Sequence, residues 1–166
     1  HGIPHFAISI GLEHNKEIIC GIVYDPIKDE MFIAEKGNGA YMNNQRMRVS
    51  TRSKLKDCII FSGGPRYGSE NKELIFKEYI KFSSKVHIAI RKFGSGSLDM
   101  AYVAAGRCDG MWQRDLNYWD IAAGIILVKE SGGFVTDFDG EYRYLQNKTL
   151  LVTNSKINNE MIEVLK

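Results

Sequence analysis

Trp119-Asp120-Ile121-Ala122-Ala123-Gly124 sets one carboxylate at the head of an apolar run that continues to Glu130 and stops at Gly132-Gly133. Such a run, closed by glycines, predicts a helix over 119–130. A carboxylate in the first turn of a helix has two uses. It can cap the N–H groups that a helix start leaves unpaired, or it can face a cleft and bind a cation. Taken alone, Asp120 favours the cap.

Outward from that helix the chain falls into two patterns. Residues 6–12 alternate, with Phe6, Ile8, Ile10 and Leu12 on one face and Ala7, Ser9 and Gly11 on the other. Residues 18–24 and 30–34 read as two more strands. Glu13-His14-Asn15-Lys16 reads as a polar turn, and Gly37-Asn38-Gly39 and Asn43-Asn44 read as hairpin turns, because Gly and Asn tolerate positive φ. The first fifty residues therefore predict an antiparallel meander. The polar stretch 50–54 reads as a linker. After it, strands at 58–61, 86–90, 110–113, 134–136 and 150–152 alternate with helices at 72–82, 97–105, 119–130 and 157–165. That order predicts an α/β protein in layers, with a helix-covered mixed sheet after the meander. The division expected is residues 1–50 for the first sheet and 51–166 for a sheet-and-helix subdomain.

Bulk properties narrow the function. The chain has 166 residues, 44% hydrophobic and 25% charged, enough for one real core. A net charge of +2, with no long basic run, argues against a nucleic-acid partner. Cys20, Cys58 and Cys108 are widely spaced and form no C-x-x-C pair. This favours reduced thiols in a cytoplasm over disulfides or a zinc site. No apolar run approaches the length of a membrane span.

Several groups invite a chemical reading. Gly94-Ser95-Gly96-Ser97 lies between a strand and a helix, where small residues expose N–H groups to an anion or a sugar hydroxyl. The alternative is a plain connection that binds nothing. Asp25-Pro26-Ile27 reads as a β-turn and Asp137-Phe138-Asp139-Gly140 as another. The four histidines have no metal spacing, and Ser62 lacks a nucleophile elbow. The apolar side of 97–105 reads as core.

The order Arg91-Lys92-Phe93-Gly94-Ser95-Gly96-Ser97, then Leu98-Asp99-Met100-Ala101-Tyr102-Val103-Ala104-Ala105-Gly106-Arg107-Cys108-Asp109-Gly110, then Trp119-Asp120, then Glu130-Ser131-Gly132-Gly133, resembles the inositol monophosphatase family of Mg²⁺-dependent phosphatases. Its bacterial members are the most similar. The resemblance implies a sugar-phosphatase-like fold and roles for particular residues. Asp120 would ligate a catalytic Mg²⁺ near the substrate hydroxyl beside the phosphate. Gly94, Ser95 and Gly96 would form the substrate loop. Gln113 would face the ring where many members carry Glu, and Gln keeps an acceptor while losing the charge. Arg114 and Asp115 would sit at the same rim, and Arg66 is a further cation for the phosphate side, though a solvated loop position suits it better.

In this family an Asp-Pro-Ile-Asp-Gly-Thr motif lies just before a segment like His1-Gly2-Ile3-Pro4-His5, and an upstream Glu completes the metal cluster. Neither is among these residues, and Asp25-Pro26-Ile27 continues as Lys28-Asp29. The expectation is a C-terminal portion of a Mg²⁺-dependent phosphatase for inositol monophosphate or a related sugar phosphate. These residues alone would turn over poorly. The expected partners are a small phosphorylated polyol or sugar and a second copy in a homodimer, with Arg91 and 97–105 near the interface. The alternative is a non-catalytic dimerising or RNA-associated regulatory module of the same fold.

Overall fold

Period-two alternation in the second half of the chain separates two hydrophobic cores. Ile60, Trp112 and Leu151 point into one core; their neighbours Phe61, Met111, Leu150 and Val152 point into the other. These residues lie on the strands of a mixed sheet that the computed structural model, which describes residues 1–65 and 68–166, sets against helices on both faces.

The elements follow in order. The first sheet is β1 (Ile8–His14), β2 (Glu17–Asp25), β3 (Glu30–Glu35), β4 (Gly39–Met42) and β5 (Gln45–Arg46), antiparallel throughout and in sequence order. Gly37, Gly39, Asn43 and Asn44 have positive φ, as their residue types predicted, and so do Asn15 and Lys16 at the polar turn between β1 and β2. A 3₁₀ turn at Leu55–Asp57 leads to β6 (Ile59–Ser62), α1 (Lys72–Ser83), β7 (Ala89–Arg91), α2 (Gly96–Ala104), β8 (Gly110–Arg114), α3 (Tyr118–Glu130), β9 (Phe134–Thr136), α4 (Tyr144–Asn147), β10 (Thr149–Thr153) and α5 (Asn158–Leu165). The second sheet has the order β7-β6-β8-β10-β9, with β6 parallel to β7 and β8, and β10 antiparallel to its neighbours.

The layers run first sheet, then α2 with α3, then second sheet, then α1 with α5. The larger core joins Val23, Phe32, Ala34 and Ala40 of the first sheet to Leu98 and Val103 of α2, Ile125 and Leu127 of α3, and the inner face of the second sheet. The smaller core seats Phe82 and Met161 on the far face, with Phe82 stacked on Trp112 at 4.0 Å. Helix α3 lies directly on the first sheet because β1 and β2 offer it glycine. A Cβ at Gly21 would stand 2.7 Å from the Ala123 carbonyl oxygen, and one at Gly11 would stand 2.8 Å from the Ala122 Cβ. The consequence is unusual for an alternating strand. The small-residue face of β1 is the packed one, and Ile8, Ile10 and Leu12 are 54%, 57% and 55% exposed.

Some boundaries moved. The strand predicted at 86–90 is β7 at 89–91, since its register is set by parallel pairing of Ala89 with Ile59, while the Val86 N–H closes the end of α1 on the Phe82 carbonyl. The polar stretch after β5 is tied down. Ser50 and Arg52 both bind the buried Asp109, and Asn154 donates to Ser50 Oγ and to the Arg52 carbonyl. Among the described residues no helix is long and apolar enough to cross a membrane.

Candidate functional site

Two helices begin at the same cavity, and they begin differently. After β7 the chain turns at Gly94, whose φ is +96°, a conformation that L side chains rarely adopt. A Cβ there would meet nothing within 4 Å, so backbone freedom and not space requires glycine. Ser95 follows in extended conformation at the N-cap position, yet its side chain makes no capping bond; its Oγ stands 3.4 Å from Ser97 Oγ. The first bond of α2 runs from the Asp99 N–H to the Ser95 carbonyl at 2.9 Å. Among the described residues the N–H groups of Gly96, Ser97 and Leu98 thus have no capping side chain, and they carry the positive end of the helix dipole.

Helix α3 starts closed. Asn117 and Asp120 form a capping box, and Asp120 Oδ2 accepts from the Asn117 N–H at 3.1 Å and from its Nδ2 at 3.4 Å. The capping use of Asp120 is therefore real. It does not displace the other use, because Asp120 also lines the cavity.

The cavity has a volume of about 570 Å³, and Gly94, Ser95, Gly96, Gln113 and Asp120 all line it. Gln113 arrives from β8. Its side chain lies across Gly63, where a Cβ would stand 2.3 Å from Gln113 Cδ, and its Oε1 lies 4.0 Å from the Cβ position of Gly96. Glycine at 63 is what lets Gln113 reach the start of α2.

Four lining residues had no role in the sequence reading: Lys92, Asp99, Ser9 and His5. Lys92 places Nζ 2.8 Å from the Cβ position of Gly64, so a cation stands at the wall. Asp99 is 2% exposed, and burial pushes its carboxyl up to about 7. Its Oδ1, together with Ser9 Oγ and His5 Nε2, is buried without a hydrogen-bond partner among the described residues. Burial, then Lys28, lowers the His5 imidazole. One sequence signal was available for Asp99: it is an acid within an otherwise apolar helix.

Other sequence readings fall elsewhere. Arg114 turns away from the cavity to pair with Glu78 at 2.6 Å and to cover the Phe138 ring. Asp115 accepts from Asn71 Nδ2 at 3.0 Å. Neither lines the cavity. Arg66 lies outside the described residues. Asp25 closes its turn by accepting from the Ile27 and Lys28 N–H groups and from Lys28 Nζ. Asp137 does the same with the N–H groups of Asp139 and Glu141. Burial raises the Cys58 thiol to about 12 and the Cys108 thiol well above its usual value, so neither is a nucleophile at neutral pH.

A Mg²⁺ ion takes oxygen ligands in an octahedron and seldom rests on one carboxylate. Among the described residues no group of three or more His, Cys, Asp or Glu side chains is placed to hold a metal. Asp120 alone does not make a Mg²⁺ site.

The profile of the inositol monophosphatase family matches residues 1–165. A protein of Mesorhizobium japonicum named inositol-1-monophosphatase is 43% identical over 166 residues, which is 100% of this chain and 62% of that relative. A Pseudomonas aeruginosa protein named Nus factor SuhB is 40% identical over 94% of this chain and 58% of its own length. Among solved structures, the extragenic suppressor protein SuhB of Bartonella henselae superposes with a TM-score of 0.95 at 44% identity, covering 100% of this chain and 63% of that one. The chain thus spans somewhat under two thirds of the length of these relatives. The family profile, the identities and the superposition agree: the chain belongs to the inositol monophosphatase family.

Proposed function

We propose that this chain is the substrate-holding portion of a phosphomonoesterase for inositol monophosphate or a related sugar phosphate. The observation that carries the reading is the shared cavity, where the uncapped start of α2, Gln113 and Asp120 meet. The N–H groups of Gly96, Ser97 and Leu98 suit phosphate oxygens or the hydroxyl beside them. Lys92 adds a positive charge to that wall. Gln113 can donate and accept, so it fits a ring hydroxyl and fixes its orientation. A relative from Mesorhizobium japonicum bears the name inositol-1-monophosphatase, which supports this substrate class.

Mg²⁺ belongs to the reading as a family property. Asp120 would be one ligand, with water, phosphate and groups other than those described completing the shell. None of the described side chains is assigned the activation of the attacking water, and turnover by these 166 residues is expected to be poor. The test is calorimetric titration with myo-inositol 1-phosphate in excess Mg²⁺. Binding is expected, with affinity falling about tenfold in Asp120→Asn, the cost of one charge-assisted contact. Absence of binding by the unaltered chain would refute the reading.

The reading includes a homodimer. β1 is an edge strand whose exposed Ile8, Ile10 and Leu12 form an apolar stripe, and Ile88 and Phe93 add exposed surface beside Arg91. Helix α2 itself is largely core, so a contact there would fall on Tyr102 and its surroundings. Light scattering at high concentration checks this: a dimer mass is expected, and a monomer contradicts it.

A second reading, a non-catalytic RNA-associated module, has one observation in its favour: relatives from Pseudomonas aeruginosa and Haemophilus influenzae are named Nus factor SuhB, at 40% and 34% identity. RNA retained by the chain, with no binding of myo-inositol 1-phosphate, would favour it.

A further inference from the structure

Parallel strands β6 and β7 run between two different sites. Each ends at the cavity already described, where Gly63 and Gly64 follow β6 and Lys92 and Gly94 follow β7. Each begins at a groove on the opposite end of the sheet. Lys54 and Lys56 line it on the way into β6, and Lys85 and His87 line it on the way into β7. The groove has a volume of about 480 Å³ and shares no lining residue with the cavity. That volume suits a small ligand.

Charge is what sets the groove apart. Lys54, Lys56 and Lys85 are exposed, and among the described residues none of them forms an ion pair. Glu160 is the acid on the wall, and its Oε2 is engaged by the Leu55 N–H at 3.0 Å. Asp57 lies on the same 3₁₀ turn but does not line the groove. The end of α1 also reaches this wall, and a helix C-terminus repels anions. Its last carbonyls are already occupied. That of Ile80 accepts from Ser83 Oγ at 2.8 Å, that of Lys81 from Ser84 Oγ at 2.7 Å, and that of Phe82 from the Lys85 and Val86 N–H groups. The two walls are tied to each other, since the His87 N–H donates to the Lys56 carbonyl at 3.1 Å. The backbones of the lysines are therefore held in place while their ammonium groups stay in solvent.

Three like charges gathered at one groove repel one another, and a polyanion relieves that repulsion. An ammonium is a point charge that takes a phosphate oxygen from any direction, so it makes no demand on the ligand's shape. Among the described residues no Phe, Tyr or Trp lines the groove, which leaves a nucleic-acid base nothing to stack on. We propose that the groove is a second anion site, which takes a short chain of linked phosphates on Lys54, Lys56 and Lys85, with Ser53 and His87 as further donors. A single phosphate meets fewer of the three charges than a chain does. The proposal is independent of the phosphate-ester reading, because the two sites lie at opposite ends of β6 and β7 and can be filled together.

Calorimetric titration of the 166-residue chain with inorganic tripolyphosphate, in EDTA so that no Mg²⁺ competes for the probe, tests this. Binding is expected, and inorganic phosphate should bind about tenfold more weakly, since it engages fewer of the charges. Lys54→Ala, Lys56→Ala and Lys85→Ala should each raise the dissociation constant about threefold, and the triple variant about thirtyfold. Raising the salt from about 50 to about 300 mM should weaken binding about threefold. The triple variant should still bind myo-inositol 1-phosphate in excess Mg²⁺ within about twofold of the unaltered chain, as two separate sites require. ATP presents the same phosphate chain from a nucleotide source, and whichever of ATP and tripolyphosphate binds more tightly names the source. No binding of tripolyphosphate, or equal binding of phosphate and tripolyphosphate, would overturn the proposal. So would a loss in Lys92→Ala as large as in the triple variant, which would put the probe in the other cavity. Tighter binding of an oligouridylate RNA, abolished in the triple variant, would make the groove a nucleic-acid surface and overturn it as well. The three side chains are exposed, and thermal melts confirm that each variant is folded.

Discussion

Helices α2 and α3 begin at one cavity, but α3 spends its first turn on itself and α2 does not. At α3 the Asp120 carboxylate and Asn117 close a capping box. At α2 Ser95 stands in the cap position without capping, and Gly94 holds the turn at φ +96°. A capped start is satisfied without a ligand; an uncapped start facing a cavity is organised for one. The proposed distinction between a structural helix terminus and a binding one therefore turns on where the N–H groups go, not on whether a suitable residue occupies the cap.

The contrast depends on α3 keeping its seat, and Gly21→Val is the strongest way to break it. A Cβ at that position would stand 2.7 Å from the Ala123 carbonyl oxygen and 2.9 Å from the Ala123 Cα, and backbone cannot swing aside. A loss of about 3 kcal/mol is expected, read as a shifted denaturant midpoint, with the cavity disturbed as α3 lifts.

Asp99 sharpens the α2 side through pH. Its carboxyl titrates near 7 in the folded chain, against an ordinary value near 3.8. The folded state therefore holds a proton that the unfolded state has released, and stability falls as pH rises between those values, levelling off above the higher one. Asp99→Asn has no proton to lose there. Its stability relative to the unaltered chain is expected to improve by about 2 kcal/mol between pH 5 and pH 8, which denaturation at the two pH values measures. A flat difference would mean that Asp99 ionises in the fold without penalty.

Gly94→Ala addresses the turn that leaves the α2 start open. The added methyl meets no atom within 4 Å, so the expected loss of about 2 kcal/mol is conformational. Phosphate affinity should fall with it. An unaffected affinity would detach the turn from the site. The smallest change expected is Asn117→Ala, about 1 kcal/mol for one half of a capping box, with phosphate affinity retained. If that substitution removed binding as thoroughly as Gly94→Ala, the two starts would not differ in kind.

Much of this was legible in the residues. Positive-φ Gly and Asn announced the meander's turns, and the apolar run from Ile121 announced α3. Local patterning could not say which face of β1 is packed. Phe6, Ile8, Ile10 and Leu12 look like the buried set, yet Gly11 and Gly21 admit a helix on the opposite face, a fact of tertiary approach. The strand at β7 slid for a similar reason, since partner register outranks local hydrophobicity. At the site, Gly94, Ser95, Gly96, Gln113 and Asp120 were nominated by motif, and one cavity brings them together. Lys92, Ser9 and Asp99 were not nominated, because each looks ordinary in its own segment and becomes informative only beside the others.

The role proposed for the open start of α2 is to receive the phosphate ester through its N–H groups, with Asp120 at the head of α3 acting beside it through its carboxylate and not through its backbone. Amide NMR of the labelled chain during titration with myo-inositol 1-phosphate tests it most directly. The largest saturable shifts are expected at the N–H groups of Gly96, Ser97 and Leu98, with smaller ones at Tyr118 and Trp119. Largest shifts at the start of α3, or at the separate cavity beside Glu13 and Lys36, would contradict it.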